Sequence, residues 1–583
     1  MITPCPTVFR RIAIAGAVAA LAPSAALAVV PDAGSQIRRL QQETRERLRP
    51  RADADASVPA AGSAGAATEA SGPRSHVAAF AVHGVTRLGA DEVREALAPF
   101  TGRALAAGEL QAATEALARR YRESGWFAAR VFVPPQPLGE IVRLDVYEGV
   151  LEPGGLYVKN DSKRVRTEAV QSVLEAAIPT GAPMHRDAFE RGLLLAEDLP
   201  GVRVKGTLYP GEQVGGARLR VRVTDEAAFA GNVDADNFGN AVVGRERIGT
   251  TLYWNDPSGA GDQAVARLVT AGSKSNYGYL TYLRPVTATG ARFGASADHY
   301  RYRSNHFAEL GRTEGEASDV RLYATYPVIR SRHHNVRVRA DAFSLRLVDR
   351  NETGIDGDRR VSGAVLGVSG DRDHDWLGDG ASFYEAVFAA GRVSLRGNEA
   401  YRLADRAGAG TEGGFARLAF TASRLQHLSG PWSVFGRVSG QVASGNLDSS
   451  QKFYLGGVAS QPGLPLGEIG ADQGIEIHAE WRRDFVPAWG GALQASTFAQ
   501  KGWVKQHKAP WDGWQGARTD VGNSIDVATV GLAAVQTWKN AWVVRGVLGR
   551  QVGGNPLRDP VTGLDSDGKG RRYRAWFQLI HYF

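Results

Sequence analysis

Among 583 residues there is a single cysteine and there are only two methionines. The cysteine is Cys5, inside an N-terminal segment that reads as a secretory leader, so the mature chain carries no thiol. Disulfides and thiolate metal sites are excluded, and stability must come from packing and hydrogen bonds. Long apolar runs are missing as well. Nowhere beyond the leader are there 18 consecutive apolar residues, which excludes membrane-spanning helices. Strong charge of one sign is absent. The formal charge of +8 falls to +6 once Arg10 and Arg11 are removed, too small an excess to argue for nucleic acid. Catalytic signatures are equally scarce. There is no HExxH and no serine-centred elbow, and the GxGxxG at Gly408, Gly410 and Gly413 lies between two expected strands with no helix after it. No enzyme activity, cofactor or metal is expected.

The leader itself is well formed. Arg10 and Arg11 precede an apolar core over residues 12–21, and Ala26-Leu27-Ala28 is an A-x-A cleavage site. The core is about half of the roughly 20 residues a membrane anchor needs. The expected leader is residues 1–28, with cleavage after Ala28. Glycine is abundant at 70 residues, and aromatics reach 9%, with 12 Trp and 17 Tyr. A mean hydropathy of −0.24 looks soluble, but membrane barrel strands alternate apolar and polar residues and average out. An exported chain of this kind is either a closed barrel or a soluble all-β protein.

The order of patterns along the chain favours the barrel. Residues 29–50 predict a strongly polar helix, in which Ile37, Leu40 and Leu48 sit among Gln41, Gln42, Glu43, Arg45, Glu46 and Arg47. Residues 51–75, rich in Ala, Gly, Ser and Pro, predict a linker. Residues 76–150 predict β-α-α-β-β, with helices over 91–97 and 108–124 and strands over 77–85, 127–133 and 141–147. Residues 151–225 repeat that plan. From 228 onward the helical period disappears, and about 16 short alternating runs follow, roughly 22 residues per strand and connection. The last run ends on Tyr582-Phe583, and a terminal aromatic suits a barrel that is recognised and closed at its final strand. His333-His334 and Asp373-His374 are read as solvated positions, and His185-Arg186-Asp187 as a helix start. Trp254, Trp432, Trp503, Trp538, Trp542 and Trp576 are read as girdle or core residues.

Three stretches carry a family resemblance. Residues 100–136 with the Val146–Gly149 sequence VYEG, residues 199–223, and residues 235–263 resemble, in order, parts of the two-partner secretion transporters of the haemolysin secretion/activation type. The resemblance implies a mainly β fold: a 16-stranded transmembrane barrel over 226–583, preceded by a plug-like helix and two small α/β polypeptide-transport-associated (POTRA) domains. It implies an outer-membrane protein that captures an unfolded exoprotein in the periplasm and secretes it. Outer-membrane lipid is an implied partner, as are the barrel-assembly machinery and periplasmic chaperones during biogenesis. An assembly or insertion factor on the same architecture is the alternative.

The resemblance also implies a loop, 444–474, that folds into the barrel. Its Leu455, Gly456, Gly457, Pro465, Gly467, Glu468, Asp472 and Gly474 match the family. The family's Val-Arg-Ala/Gly-Tyr core is replaced by Gln461, Pro462, Gly463 and Leu464, which sets Pro462 in the arginine's place. The family's aspartate on a later strand is replaced by Gln500. Losing both partners of a buried ion pair together can be close to neutral, whereas losing one costs roughly 3–5 kcal/mol. The loop is therefore expected still to fold inward, held by neutral hydrogen bonds and its Gly/Pro backbone.

Overall fold

The computed structural model describes residues 32–48, 74–137, 139–307, 311–352, 357–375, 377–516, 518–538 and 541–583. The expected leader, with Ala26 and Ala28, lies outside the described residues, as does most of the expected linker.

Period-two alternation over the C-terminal part closes into a barrel of 16 antiparallel strands, each paired with its neighbours in sequence along the wall. Barrel strand 1 is Phe229–Asp236 and strand 16 is Tyr573–Tyr582; they meet from Gln578↔Asp236 to Tyr582↔Asn232. At this seam the Phe583 backbone exchanges two bonds with Gly231, each 3.0 Å. Alternation runs opposite to that of a soluble protein. On strand 2, Arg247–Asn255, the residues Ile248, Leu252 and Trp254 point outward and are exposed, while Arg247, Gly249 and Thr251 are buried inside. A lipid solvent rewards the apolar exterior, and closure leaves no unpaired strand edge in hydrocarbon. Among the described residues no helix is long and apolar enough to cross a membrane.

The wall is uneven. Strands 1–4 have 8 to 11 residues, whereas strand 6, Gly311–Arg330, has 20. One helix, Glu399–Ala407, interrupts the β pattern before strand 10, Gly413–His427. This corrects the expectation that helical periodicity ends at 228. The helix starts at Asn398, whose side chain accepts from Tyr401 N–H; Ala400, Leu403, Ala404 and Ala407 form a stripe along it, but it is only nine residues long and buries none of them fully.

Ahead of the barrel stand two α/β units of one topology. In the first, Ala79–His83 lies parallel to the central Ile141–Tyr147, and Arg130–Phe132 antiparallel to it. Helices Ala90–Leu97 and Ala107–Glu123 cover one face, packing Leu110, Leu117 and Tyr121 on Val142, Leu144 and Val146. Glu148 ties this unit together. Its carboxylate accepts from Thr86 N–H (2.6 Å), Arg87 N–H (2.8 Å) and Tyr121 O–H (3.0 Å). Burial disfavours its charge, but these donors outweigh burial and hold the carboxyl below its ordinary range. Ser75–Val77, part of which was expected to be linker, pairs with Arg103–Leu105.

In the second unit, Val150–Asn160 lies parallel to the central Gly216–Asp225, and Val202–Pro210 antiparallel to it. Helices Thr167–Ala177 and Arg186–Glu197 cover one face. His185 caps the latter helix and packs edge-on against Trp126 of the first unit, 4.8 Å between ring centres.

Candidate translocation path

Strand 1 leaves the second α/β unit, so odd-numbered strands run away from that arm and even-numbered strands return. The connections 331–333 and 486–491 lie on the arm's side, and 444–472 and 553–572 on the far side. The second unit docks on the arm-side rim. Arg191 donates to Pro327 C=O at 2.9 Å, and Asp198 pairs with Arg330 at 2.8 Å. His333, on the same rim, meets Asp373 at 3.1 Å.

The helix Ala33–Arg47 lies inside the lumen. A polar helix buries its polar residues here because the wall around it is polar. Asp32 caps it, accepting from Ser35 N–H at 2.7 Å. Ala33 N–H donates to Asp349 at 2.8 Å, and Gln41 donates to Asp298 and Asp319 at 3.1 and 2.8 Å. Farther along, Glu43 meets Arg247 at 3.1 Å and Arg267 at 3.5 Å, and Arg47 meets Asp234 at 3.1 Å. Gly34 allows a close approach: a Cβ there would lie 2.4 Å from Ser449 Oγ.

The second occupant is the connection between strand 11, Trp432–Ala443, and strand 12, Gln473–Phe485. It turns back into the lumen as a hairpin, Phe453–Leu455 paired with Ile469–Ala471. Its base is fixed by Asp472, which accepts from Lys452 Nζ (2.7 Å), Leu447 N–H (3.1 Å) and Lys508 N–H (2.8 Å). Gly474 belongs to strand 12. Leu455 and Leu464 pack with Ile469, Val504 and Leu557 in a buried cluster. Gly456 and Gly457 take φ of 113° and 98° and turn the chain; Gly467 (φ 68°) lies against Arg39 of the helix. The Glu468 carboxylate accepts from Asn555 at 2.5 Å and from Ser566, both on the connection before strand 16. Pro465 C=O accepts from Glu468 N–H at 3.3 Å.

The tip meets the wall where Gln500 stands, on strand 13, Ala492–Lys505. The Gln500 side-chain oxygen accepts from the Gln461 backbone N–H at 2.6 Å, and its amide meets His478. The Gln461 side chain donates to Glu476 at 3.1 Å. The residue that faces Gln500 is thus Gln461, not Pro462: with φ of 56°, Gln461 turns the tip one position earlier than the family resemblance implied. Pro462 and Gly463 pass instead across strand 15, Trp542–Val552, where a Cβ on Gly549 would lie 2.5 Å from the Pro462 carbonyl carbon.

Neutral hydrogen bonds are only part of this seat, which is a second correction. Arg574 donates to Gly463 C=O at 2.7 Å and Trp576 Nε1 to Pro462 C=O at 2.9 Å, while Arg437 donates to Ala459 C=O at 2.7 Å. The loop has no arginine, and the wall supplies the cations. Their inward alternation on strands 16 and 11 was the signal that could have found them; Trp576 is a buried lumen residue, whereas Trp254, Trp503 and Trp542 face outward.

Helix and loop touch. Arg39 reaches Leu466 C=O at 3.4 Å and lies over the Tyr454 ring at 5.3 Å. Beside them a cavity of about 1140 Å³ runs along the seam, lined by Glu43, Arg47, Tyr253, Tyr454, Ser460 and Phe583 among others.

A barrel with a polar lumen, two occupants and a docked arm of paired POTRA-like units is the architecture of an outer-membrane polypeptide transporter. The chain belongs to the haemolysin secretion/activation protein family ShlB/FhaC/HecB, which matches residues 215–525, and residues 76–149 match the ShlB-type POTRA domain. It is a transporter of the two-partner secretion type and resides in the outer membrane, with its POTRA arm in the periplasm. It is 24% identical to the heme/hemopexin transporter protein HuxB of Haemophilus influenzae (strain 86-028NP) over 498 residues, covering 85% of this chain and 84% of that one. Its fold is similar to CdiB from Escherichia coli (TM-score 0.69, 17% identity, 96% and 100% of the two chains). It is also similar to BamA from Haemophilus ducreyi lacking POTRA domains 1–3 (TM-score 0.51, 12% identity, 87% and 100%).

Proposed function

We propose that this chain takes an unfolded exoprotein from the periplasm, passes it along the seam-side cavity after the helix Ala33–Arg47 has left the lumen, and releases it outside. The observation that carries this reading is that the helix is fastened to the wall mainly by side-chain contacts and is joined to the arm through residues 49–73. Those 25 residues have a contour length of about 80 Å, enough for the helix to withdraw without moving the barrel. The loop 444–474, tied at both ends and along its tip, acts as a retained gate whose site residues, from Leu455 to Gln500, set its resting position. The exposed apolar belt contacts outer-membrane lipid. Phe583, at the exposed terminus beside the seam, is what the barrel-assembly machinery reads after periplasmic chaperones deliver the chain. The leader 1–28 directs export.

The test is secretion of the exoprotein encoded beside this gene, scored in culture medium and periplasm with and without the gene. Loss from the medium, restored by the intact gene, supports the reading. Unchanged secretion with depletion of other outer-membrane proteins would transfer the role to barrel assembly, the activity that the BamA-like fold leaves as the alternative.

A further inference from the structure

The outer surface of the barrel is apolar along its middle, and its charge gathers at the ends. On strand 8, Gly357–Asp375, the outward residues run from Arg360 through Ser362, Ala364, Leu366 and Val368 to Arg372. At the rise and tilt of a barrel strand this run spans about 30 Å, an apolar band with a headgroup layer at each end. Arg360 marks the end far from the arm. It stands directly opposite Arg346 of strand 7, His334–Asn351, and on its other side opposite Ser394 of strand 9, Gly378–Leu395. Arg392 stands opposite Ser362, one diagonal from Arg360 and about 7–8 Å away. Like charges directly opposite one another on a sheet are destabilising. The nearby acids leave two of these arginines unmatched. Asp358 pairs with Arg346 at 2.8 Å, Glu316 with Arg301 at 3.5 Å and Glu314 with Arg303 at 3.6 Å, while Glu412 accepts from Leu395 N–H at 3.4 Å. Among the described residues Arg360 and Arg392 have no carboxylate partner, and the Arg360 Nε is shielded from solvent without a hydrogen bond. The arm-side end of the same strand differs: Arg372 stands opposite His334 and Ser382, with no arginine directly facing it.

We propose that Arg346, Arg360 and Arg392, with the hydroxyls of Ser362 and Ser394, form a site for a phosphate group of the outer-leaflet glycolipid, lipid A. The inference rests on the reading that the apolar belt contacts outer-membrane lipid and names the headgroup chemistry; it does not depend on transport. Charge points to an anion, because an anion between Arg346 and Arg360 turns a repulsive cross-strand pair into a clasp. Guanidinium forks match phosphate oxygens two at a time. A phosphate monoester carries close to two negative charges at neutral pH, enough for the two unmatched arginines. Placement decides the source. The site faces away from the lumen, so the passing polypeptide does not meet it, and it lies at the end opposite the periplasmic arm, hence in the external leaflet. Below it Leu366 and Phe388, directly opposite one another and both exposed, offer the apolar surface on which acyl chains lie. A free anion has no use for that surface.

The experiment mixes the full chain, folded in dodecyl maltoside, with fluorescent diphosphoryl lipid A and follows the lipid that stays with the protein through gel filtration. Dephosphorylated lipid A, phosphatidylglycerol and inorganic phosphate are the alternatives. Diphosphoryl lipid A is retained, and its dephosphorylated form is held about tenfold more weakly. R360Q/R392Q, which leaves the Arg346–Asp358 pair in place, weakens retention by a similar factor. R360K/R392K keeps the charge without the fork and retains part of the binding, and Arg372→Gln leaves it unchanged. Equal retention by R360Q/R392Q with a normal folded band, equal retention of dephosphorylated lipid A or phosphatidylglycerol, or displacement by an equal concentration of inorganic phosphate would overturn the assignment. The comparison of lipids on the unaltered chain decides the matter even where a variant misfolds. A chain that fails to insert into phosphatidylcholine vesicles refutes the lipid belt itself. Normal insertion, with retention indifferent to the phosphates and to both arginines, refutes the site and spares the belt.

Discussion

The helix Ala33–Arg47 and the loop 444–474 occupy the same lumen by different means. The helix is held chiefly by side chains: Gln41 on two aspartates, Glu43 on two arginines, Arg47 on Asp234. The loop is held at its tip through backbone atoms, with Gln500, Arg574, Trp576 and Arg437 each bonding a main-chain group, and it is covalently continuous with strands at both ends. Charged side chains that separate can be rehydrated in a water-filled lumen. Backbone groups pressed against strand 15 have to be re-satisfied together. The comparison teaches that the removable part is the helix and the retained part is the loop.

The largest expected effect is on the loop. Arg574→Ala leaves Asp565, fully buried, with Arg558 as its remaining cation and frees Gly463 C=O. Breaking such a network costs about 3–5 kcal/mol, and the folded barrel band in unheated gels should fall sharply. Undiminished folded yield would erase the distinction between the occupants.

Next comes Gln500→Asp. The new carboxylate stands in the cluster of Gln461 and Glu476, where Arg437 lies 3.7 Å from Glu476. We expect a loss of about 3 kcal/mol, with most of it recovered in Gln461→Arg/Gln500→Asp and not in Pro462→Arg/Gln500→Asp. Equal recovery by both double variants would refute the tip geometry.

A smaller effect, of opposite kind, is expected from Glu43→Gln with Arg47→Gln. Barrel stability stays the same, while the open fraction in planar bilayers, or thiol labelling of a cysteine placed at Gln36, rises about tenfold, the equivalent of roughly 1.4 kcal/mol. No cysteine occurs after Cys5, so that label is unique in a chain from which residues 1–28 are absent. Raising salt from 0.1 to 1 M shortens the screening length from about 10 to about 3 Å. Salt should therefore raise the open fraction of the unaltered chain while leaving amide exchange of the loop unchanged.

The smallest effect on the lumen comes from the arm. Glu148 has a folded-state pKa below its unfolded value, so its stabilisation is present above about pH 4.3 and is lost as pH falls through the lower folded value. Glu148→Gln should lower the stability of the first POTRA unit at pH 7 by about 1–3 kcal/mol and flatten its acid dependence, as read by amide exchange at pH 7 and pH 4. Neither occupant of the lumen should move.

Much of this was legible in the residues. The expected helices 91–97 and 108–124 lie within one residue of Ala90–Leu97 and Ala107–Glu123, because each carries an apolar stripe and a defined stop. The alternating runs read as strands recur in the barrel, and their inverted burial follows from the polar lumen. Less legible were two short elements. Glu399–Ala407 has no buried face, and Ser75–Val77 is a strand only because Arg103–Leu105 comes beside it. At the candidate site, Gln500 was found through the family resemblance, as the residue in the place of the family's aspartate. Its true neighbour, Gln461, was missed by one residue because loop register has no period to read.

What the sequence by itself determined is what local patterning controls: an exported chain without spanning helices, two α/β units, and a sheet whose alternation suits lipid outside and polar groups inside. The tertiary structure decided which residues from distant segments share a neighbourhood: Glu43 with Arg247, Gly463 with Arg574, Gln461 with Gln500. The reason is physical. Periodicity follows from the repeat of a strand or helix, whereas the path of a loop across a lumen follows from a few φ angles, such as those of Gly456, Gly457 and Gln461, and from the wall it meets.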